Sequence, residues 1–269
     1  MATKLSLPDV TLVCVETREH RLASMAVLDC ISKVDFGDVL VLTNKPSEFD
    51  VPARYTDIRF HIVPDWLDKV GWSRSWWFDV PPLLRTRQTL NIQWDSWIWD
   101  ASMWDDAFLE YDYIGAPWWY KDGKNVGNGG FSLVSTRLKR VIRDRRDTYP
   151  CTTAVDDDLL GRKYRPQLEN FGFTWAPEEV AHRFAFECSR PSKTSKHFGF
   201  HAAFNFGEVL TPEQLRERAE LMVRSRYITN PSGVIWKAFS SKYPNLVAEL
   251  VSDLETQQQF LGERRTSDG

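Results

Sequence analysis

The stretch VTLVCV at residues 10–15 and the stretch VLVLT at residues 39–43 decide the fold of this chain. Each is an apolar, β-branched run of strand length without polar alternation, the pattern of a strand buried on both faces of a parallel sheet. Between them, Leu22, Met25, Ala26, Leu28, Cys30 and Ile31 recur at roughly helical spacing within Arg21 to Val34, which predicts a β-α-β opening. Ile58 to Val63 alternates like a third strand. An open α/β sheet follows, with its ligand site expected at the carboxyl ends of the strands. The first of those ends is Glu16-Thr17-Arg18, and the second is Thr43-Asn44.

Further along, Gly71 to Pro82 (GWSRSWWFDVPP) mixes glycine, aromatics and a proline pair and reads as an ordered loop. Thr89 to Trp94 reads as a strand that ends in Asp95, and Tyr113 to Ala116 as a short strand leading to Pro117. Asn125 to Ser135 (NVGNGGFSLVS) places a glycine-rich turn before another strand, and glycine there lets the backbone approach a ligand closely. Arg137 to Arg146 is a basic, helix-like stretch. Thr211-Pro212-Glu213-Gln214 has the form of a capping box with Pro at the first helical position, so a helix is expected through about Ser225. One or two more helices are expected within Val234 to Phe260. The predicted division is a catalytic α/β domain over residues 1–208, a helical extension over 209–261 and a disordered tail over 262–269.

Composition narrows the function. The 269 residues carry 42% apolar and 26% charged side chains, ordinary values for a chain that buries a core. A net charge of −3 argues against a global positive field for nucleic acid. No apolar run has the length of a membrane helix and no signal sequence opens the chain, so a cytoplasmic protein without a membrane span is expected. The four cysteines lack a C-x-x-C pair and read as plain thiols. Neither G-x-G-x-x-G nor a P-loop follows the first strand, which removes dinucleotide cofactors and P-loop nucleotide hydrolysis. Twelve tryptophans, most of them between Trp72 and Trp119, are the compositional oddity: flat indoles suit sugar faces and nucleobases as well as cores.

Four elements carry polar groups suited to chemistry: Gln93-Trp94-Asp95, Gly127-Asn128-Gly129-Gly130, Asp156-Asp157-Asp158-Leu159-Leu160-Gly161 and His197-Phe198-Gly199-Phe200-His201. On these residues, and on QWDSWI…DDAFLEYDYIGAPWW…VGNGGFSLVS, the chain resembles an uncharacterised bacterial and phage glycosyltransferase-like domain family over about Val10 to Phe206. The order of strand-end Asp, glycine-rich turn, acidic pair before Leu-Gly and late His is also similar to that of the beta-1,3-galactosyltransferase and fringe families.

The resemblance implies an α/β fold of the GT-A type: a Rossmann-like, mixed, mainly parallel sheet flanked by helices, with a C-terminal helical extension. It implies a hexosyl- or pentosyltransferase that uses a nucleotide-sugar donor, a UDP-sugar being the commonest, and a divalent metal, Mn2+ or Mg2+, that neutralises the departing diphosphate. The implied metal positions are Asp95, His201 and Gln93, with His197 as competitor to His201. Gln93 stands where the family pattern has a first carboxylate. Asp157 corresponds to the catalytic base, which implies inversion, with Asp156 beside it. Donor contacts fall on Glu16, Thr17, Arg18, Thr43, Asp95, Gly129 and Gly130, with Arg85 and Arg87 as phosphate candidates. Acceptor contacts fall on Asn128, Trp72, Trp76 and Trp118.

The acceptor is a glycan, a lipid-linked oligosaccharide or modified DNA. The DNA reading rests on six basic residues between Arg137 and Arg146, with Trp72, Trp76 and Trp77 stacking on an extruded base. A non-catalytic, lectin-like protein is the other class, and Gln93 is its best support.

Overall fold

The computed structural model describes residues 4–52, 55, 57–64, 69–152, 156–192, 195–224, 243–245, 249 and 252. The chain divides into two units, Met1–His201 and Ala202–Gly269. The first unit is a mixed α/β, Rossmann-like structure. Its sheet has the order β3-β2-β1-β4-β7-β6, where β1 is Leu5–Val15, β2 Val34–Thr43, β3 Ile58–Ile62, β4 Gln88–Ile92, β6 Tyr113–Gly115 and β7 Ser132–Ser135. Strands β1 to β4 are parallel, and β7 runs antiparallel to both β4 and β6. Helix α1, His20–Lys33, makes the crossover between β1 and β2, as its apolar spacing predicts.

Alternate residues of the central strands serve two packed faces. Val13, Val15, Leu40 and Leu42 join a core with Trp76, Trp77, Leu138, Tyr149 and Leu160. The Cys30 thiol on α1 accepts the backbone N–H of Ile98 at 3.4 Å, which ties α1 to β5, Trp97–Ile98. Strand β5 belongs to a second, three-stranded sheet of order β5-β9-β8, with β8 at Ala185–Phe186 and β9 at Gly199–Phe200. This small sheet packs on phenylalanines, Phe108, Phe131, Phe184 and Phe198, all fully buried.

The stretch expected as a loop, Gly71 to Pro82, is helical: α2 is Lys69–Arg74, a π turn covers Ser75–Asp79 and a 3-10 turn covers Pro81–Leu83. Burial of Trp76 and Trp77 in the core outweighs the local loop signals of Gly71 and the proline pair. Helix α3, Thr136–Asp144, is capped by the Ser135 hydroxyl. Helix α4, Asp156–Asp158, continues into a π turn at Leu159–Lys163, and α5, Arg165–Asn170, and α6, Glu178–Phe184, follow. Cys14, Cys30 and Cys151 are buried free thiols and Cys188 is an exposed one.

In the second unit, α7 is Phe206–Val209 and α8 is Pro212–Arg224. The capping box forms reciprocally: the Thr211 N–H donates to Gln214 Oε1 at 3.1 Å and the Gln214 N–H to Thr211 Oγ1 at 3.3 Å. The helices expected within 234–260 and the tail at 262–269 lie outside the described residues, apart from a few isolated positions. Among the described residues no helix is long and apolar enough to cross a membrane.

Asp112, just before β6, fastens the antiparallel edge of the main sheet. Its buried carboxylate accepts the Ser135 hydroxyl at 2.5 Å, Arg137 Nε at 2.6 Å and the Thr174 N–H at 3.0 Å. Replacing it strands three donors, whereas the Arg137 side chain is 60% exposed. Asp112→Ala is expected to cost about 2–4 kcal/mol and Arg137→Gln about 1 kcal/mol or less, read as shifts of the urea midpoint.

Candidate active site

The carboxyl ends of β1, β2 and β4 lie side by side, because Cys14 pairs with Ile92 and Val15 with Leu42. After β1, Glu16 is buried and its Oε1 accepts the backbone N–H groups of Thr17, Arg18 and Glu19 at 2.8, 2.7 and 3.1 Å. Burial pushes its carboxyl above the usual range while the three N–H groups pull it down. Glu16 thus shapes the turn that carries Thr17 and Arg18. Thr43 is fully buried and its hydroxyl accepts the Lys45 N–H at 3.3 Å, which fixes the turn at the end of β2. Arg85 and Arg87 precede β4 and stand at the opposite end of that strand from Asp95, away from the expected phosphate position.

Beyond β4, Gln93 to Ser96 form a tight turn: the Gln93 N–H donates to Ser96 Oγ at 2.8 Å and the Ser96 N–H to the Gln93 carbonyl at 3.2 Å. The small sheet then builds the site by register. Trp97 pairs antiparallel with Phe200 and Phe186 pairs parallel with the same Phe200. Asp95, two residues before Trp97, and Glu187, one after Phe186, therefore both reach His201, one after Phe200. His201 Nδ1 donates to Glu187 Oε1 at 2.8 Å, and its Nε2 faces Asp95 Oδ1 at 3.6 Å. Burial alone would lower the imidazole's pKa, but Asp95, Glu187 and Asp157 hold it up at about 9. Burial pushes the Glu187 carboxyl up, yet the hydrogen bond and charge of His201 bring it below its ordinary value.

The glycine turn is fixed over this cluster by side chains from three strands or their ends. Tyr113 Oη donates to the Gly127 carbonyl at 2.6 Å and Ser96 Oγ to the Gly130 carbonyl at 2.7 Å. The Gly129 carbonyl takes both Asn91 Nδ2 and the Ser132 hydroxyl, the latter at 3.0 Å. A Cβ on Gly130 would lie 2.1 Å from His201 Nε2, so only glycine lets the backbone meet the imidazole. The Gly129 N–H in turn reaches Asp157 Oδ2 at 3.3 Å, and the Asp158 N–H holds Asp157 Oδ1 at 2.9 Å. Asp157 opens toward the same centre. Burial raises its pKa, and the two N–H groups and His201 only partly offset the rise.

Five of the expected site residues thus meet: Asp95, Gly129 and Gly130 with His201, and Asp157 beside them. Asp156 is in α4, and the role expected of its side chain lies outside the described residues. His197 is engaged elsewhere. It is buried, its Nδ1 is bonded to the His182 carbonyl, its ring packs 4.8 Å from that of Phe186, and burial lowers its pKa to about 4.

The residues expected on the acceptor side are engaged within the fold. Asn128 is buried, its Oδ1 accepting the Gly130 N–H at 3.2 Å, and its amide braces the His201 cluster. Trp118 is wedged against Gly127 and Gly161, and Trp76 is a core residue with the Lys139 ammonium over its ring. Trp72 is half-buried, its indole N–H spent on the Val15 carbonyl at 2.7 Å. Trp76 and Trp118 fill space the core requires, while Trp72 keeps part of its surface exposed. The basic stretch is likewise divided: Arg137 binds Asp112 and Lys139 is buried.

Glu187 is the member of the cluster that sequence reasoning missed. Its signal is slight, a carboxylate directly after the apolar Phe184-Ala185-Phe186, and only the pairing of β8 with β9 gives it meaning. Among the described residues no group of three or more His, Cys, Asp or Glu side chains is arranged to hold a metal ion.

The fold and this site define a mixed α/β protein with an acid–imidazole cluster at the carboxyl edge of a mainly parallel sheet. Against known families, residues 80–201 match proteins of unknown function, DUF5672, a little under half of the chain. That span is narrower than Val10 to Phe206 and its description carries no glycosyltransferase name. Among solved structures the chain is similar to 4-diphosphocytidyl-2C-methyl-D-erythritol synthase from Anaerococcus prevotii DSM 20548, with 11% identity, 64% of this chain and 86% of that one covered, and a TM-score of 0.42. No curated protein matches significantly.

The raised pKa of His201 carries a sign. Its folded value of about 9 exceeds the ordinary 6.5, so the stabilisation is complete below pH 6.5 and is lost as pH rises through about 9. Imidazole NMR titration of the metal-free protein is expected to find His201 protonated at pH 8, and Glu187→Gln to lower its pKa. A value near 6.5 in the parent protein would dismantle the cluster as drawn.

Proposed function

We propose that this protein is a nucleotide-sugar-dependent glycosyltransferase of the GT-A type. The observation that carries the reading is the meeting of Asp95, His201 and Asp157 under the pinned glycine turn at the carboxyl edge of the sheet. A transferase needs there a base for the incoming hydroxyl and positive charge for the departing diphosphate.

Asp157 supplies the base. The acceptor hydroxyl oxygen bonds to the anomeric carbon, its proton passes to the Asp157 carboxylate, and the anomeric carbon–diphosphate bond breaks with its electron pair leaving on the diphosphate. Burial raises the proton affinity of that carboxylate, which suits it to the task. Attack from the face opposite the diphosphate inverts the anomeric centre.

The donor set of Asp95 and His201 suits a divalent cation. Glu187 occupies Nδ1 and orients the ring, leaving Nε2 toward the Asp95 carboxylate, the arrangement of a carboxylate-braced histidine ligand. Asp95 and His201 would hold manganese or magnesium, which when bound would supply charge to neutralise the diphosphate. His201 must give up its proton to serve, so cation uptake is expected to strengthen as pH rises. The turn Thr17-Arg18, held by Glu16, is assigned to the nucleotide.

The acceptor is assigned to the glycan or lipid-linked saccharide class. The DNA reading is the less supported, since Trp76, Trp77 and Lys139 are buried and the exposed Arg137 is engaged with Asp112. Asp157→Asn is expected to reduce sugar transfer about 10²–10⁴-fold while the donor dissociation constant changes little. Turnover that survives the substitution removes Asp157 from the role.

A further inference from the structure

A second cavity opens at the opposite, amino-terminal end of β1 and β4, with a volume of about 1040 Å³. Gln88, on its wall, begins β4 and lies roughly 13 Å along that strand from Ile92, beyond which the Asp95 turn begins. Arg85, Arg87, Arg137 and Arg140 line the cavity together with Asp9 and Glu110. Arg137 is engaged with Asp112, whereas the Arg85 and Arg87 residues are exposed and their side chains make no hydrogen bond or ion pair among the described residues.

The backbone that presents these two arginines is held rigidly. Between them the Thr86 hydroxyl meets that of Thr11 at 2.7 Å, and the Thr86 carbonyl accepts the Thr136 hydroxyl at 2.8 Å. The Thr136 N–H donates to the Arg87 carbonyl at 2.9 Å. The clamped segment bends at Thr86 and Arg87 just before β4, and both arginines line the cavity. Arg140 adds a guanidinium from α3, touching the Leu84 carbonyl at 3.5 Å. A guanidinium fork matches phosphate geometry better than any other side chain.

A second observation points to a ligand with hydroxyl groups. Gln88 is 6% exposed, and its Nε2 donates to the Leu109 and Tyr111 carbonyls at 3.2 Å each, which fixes the amide's orientation. Its Oε1 is buried without a hydrogen-bond partner, an acceptor that lacks a donor. Asp9 and Glu110 on the same lining also accept from hydroxyls and oppose a bare polyanion such as nucleic acid.

We infer that this cavity is a second binding site, for a phosphorylated sugar, with Arg85, Arg87 and Arg140 on the phosphate and Gln88 on a hydroxyl. The assignment is independent of the glycosyltransferase reading. Its test is calorimetry on the full chain with inorganic phosphate, glucose 6-phosphate, a terminally phosphorylated oligosaccharide, glucose and a short DNA duplex.

The expected result is binding of glucose 6-phosphate more tightly than inorganic phosphate, and none of glucose. Arg85→Gln/Arg87→Gln is expected to weaken it about tenfold or more, with the melting temperature and any nucleotide-sugar binding unchanged. Tighter binding of the phosphorylated oligosaccharide, lost in the same variant, also supports the site and identifies the end of a longer glycan as the source. Absence of binding by every phosphate-bearing probe at millimolar concentration, or binding indifferent to the double substitution, overturns it. Duplex DNA binding more tightly than glucose 6-phosphate, with steep salt dependence, overturns it in favour of a nucleic-acid surface.

Discussion

A buried imidazolium among carboxylates is the interaction on which the rest of the site depends. His201 draws Glu187 to one nitrogen and Asp95 toward the other, with Asp157 within its field. Burying that many charges is unfavourable unless they are paired, so the three-stranded sheet must set them close, with Glu187 2.8 Å from one ring nitrogen and Asp95 3.6 Å from the other. Pairing of both Trp97 and Phe186 with Phe200 does so, and the phenylalanine cluster beneath holds the sheet. The chemistry rests on a register that a slip of one residue would invert.

The glycine turn answers a related demand. A main chain that passes against an imidazole and a carboxylate must lack side chains there and still be rigid. Gly127, Gly129 and Gly130 meet the first condition, and hydrogen bonds from Tyr113, Asn91, Ser132 and Ser96 to their carbonyls meet the second. Glycine's freedom is removed by neighbours that belong to the sheet, so the turn inherits the stiffness of the strands. The Gly129 N–H is thereby directed at Asp157 by a backbone already fixed in place.

Much of the fold was legible because the strands are buried on both faces: VTLVCV and VLVLT fall within β1 and β2, and the capping box at Thr211 opens α8. In the site, Asp95, Asp157, Gly130 and His201 were legible as motif residues. Glu187 was not, because its significance lies in a two-residue strand pairing that no local pattern announces. The tryptophans misled for a physical reason: an indole is as good a core residue as a stacking platform, and Trp76 and Trp118 are both used as the former. Arg85 and Arg87 were misplaced because nearness in sequence to Asp95 hides that they stand at the other end of β4.

The measurement that bears most directly on the account is calorimetric titration of the protein with a panel of nucleotide-sugars, with and without manganese, in the parent chain and in Asp95→Ala. The account expects one donor to bind tightly with manganese, weakly without it, and weakly in the variant under both conditions. Failure of every donor to bind in either condition, or manganese-dependent binding that Asp95→Ala leaves intact, would contradict it.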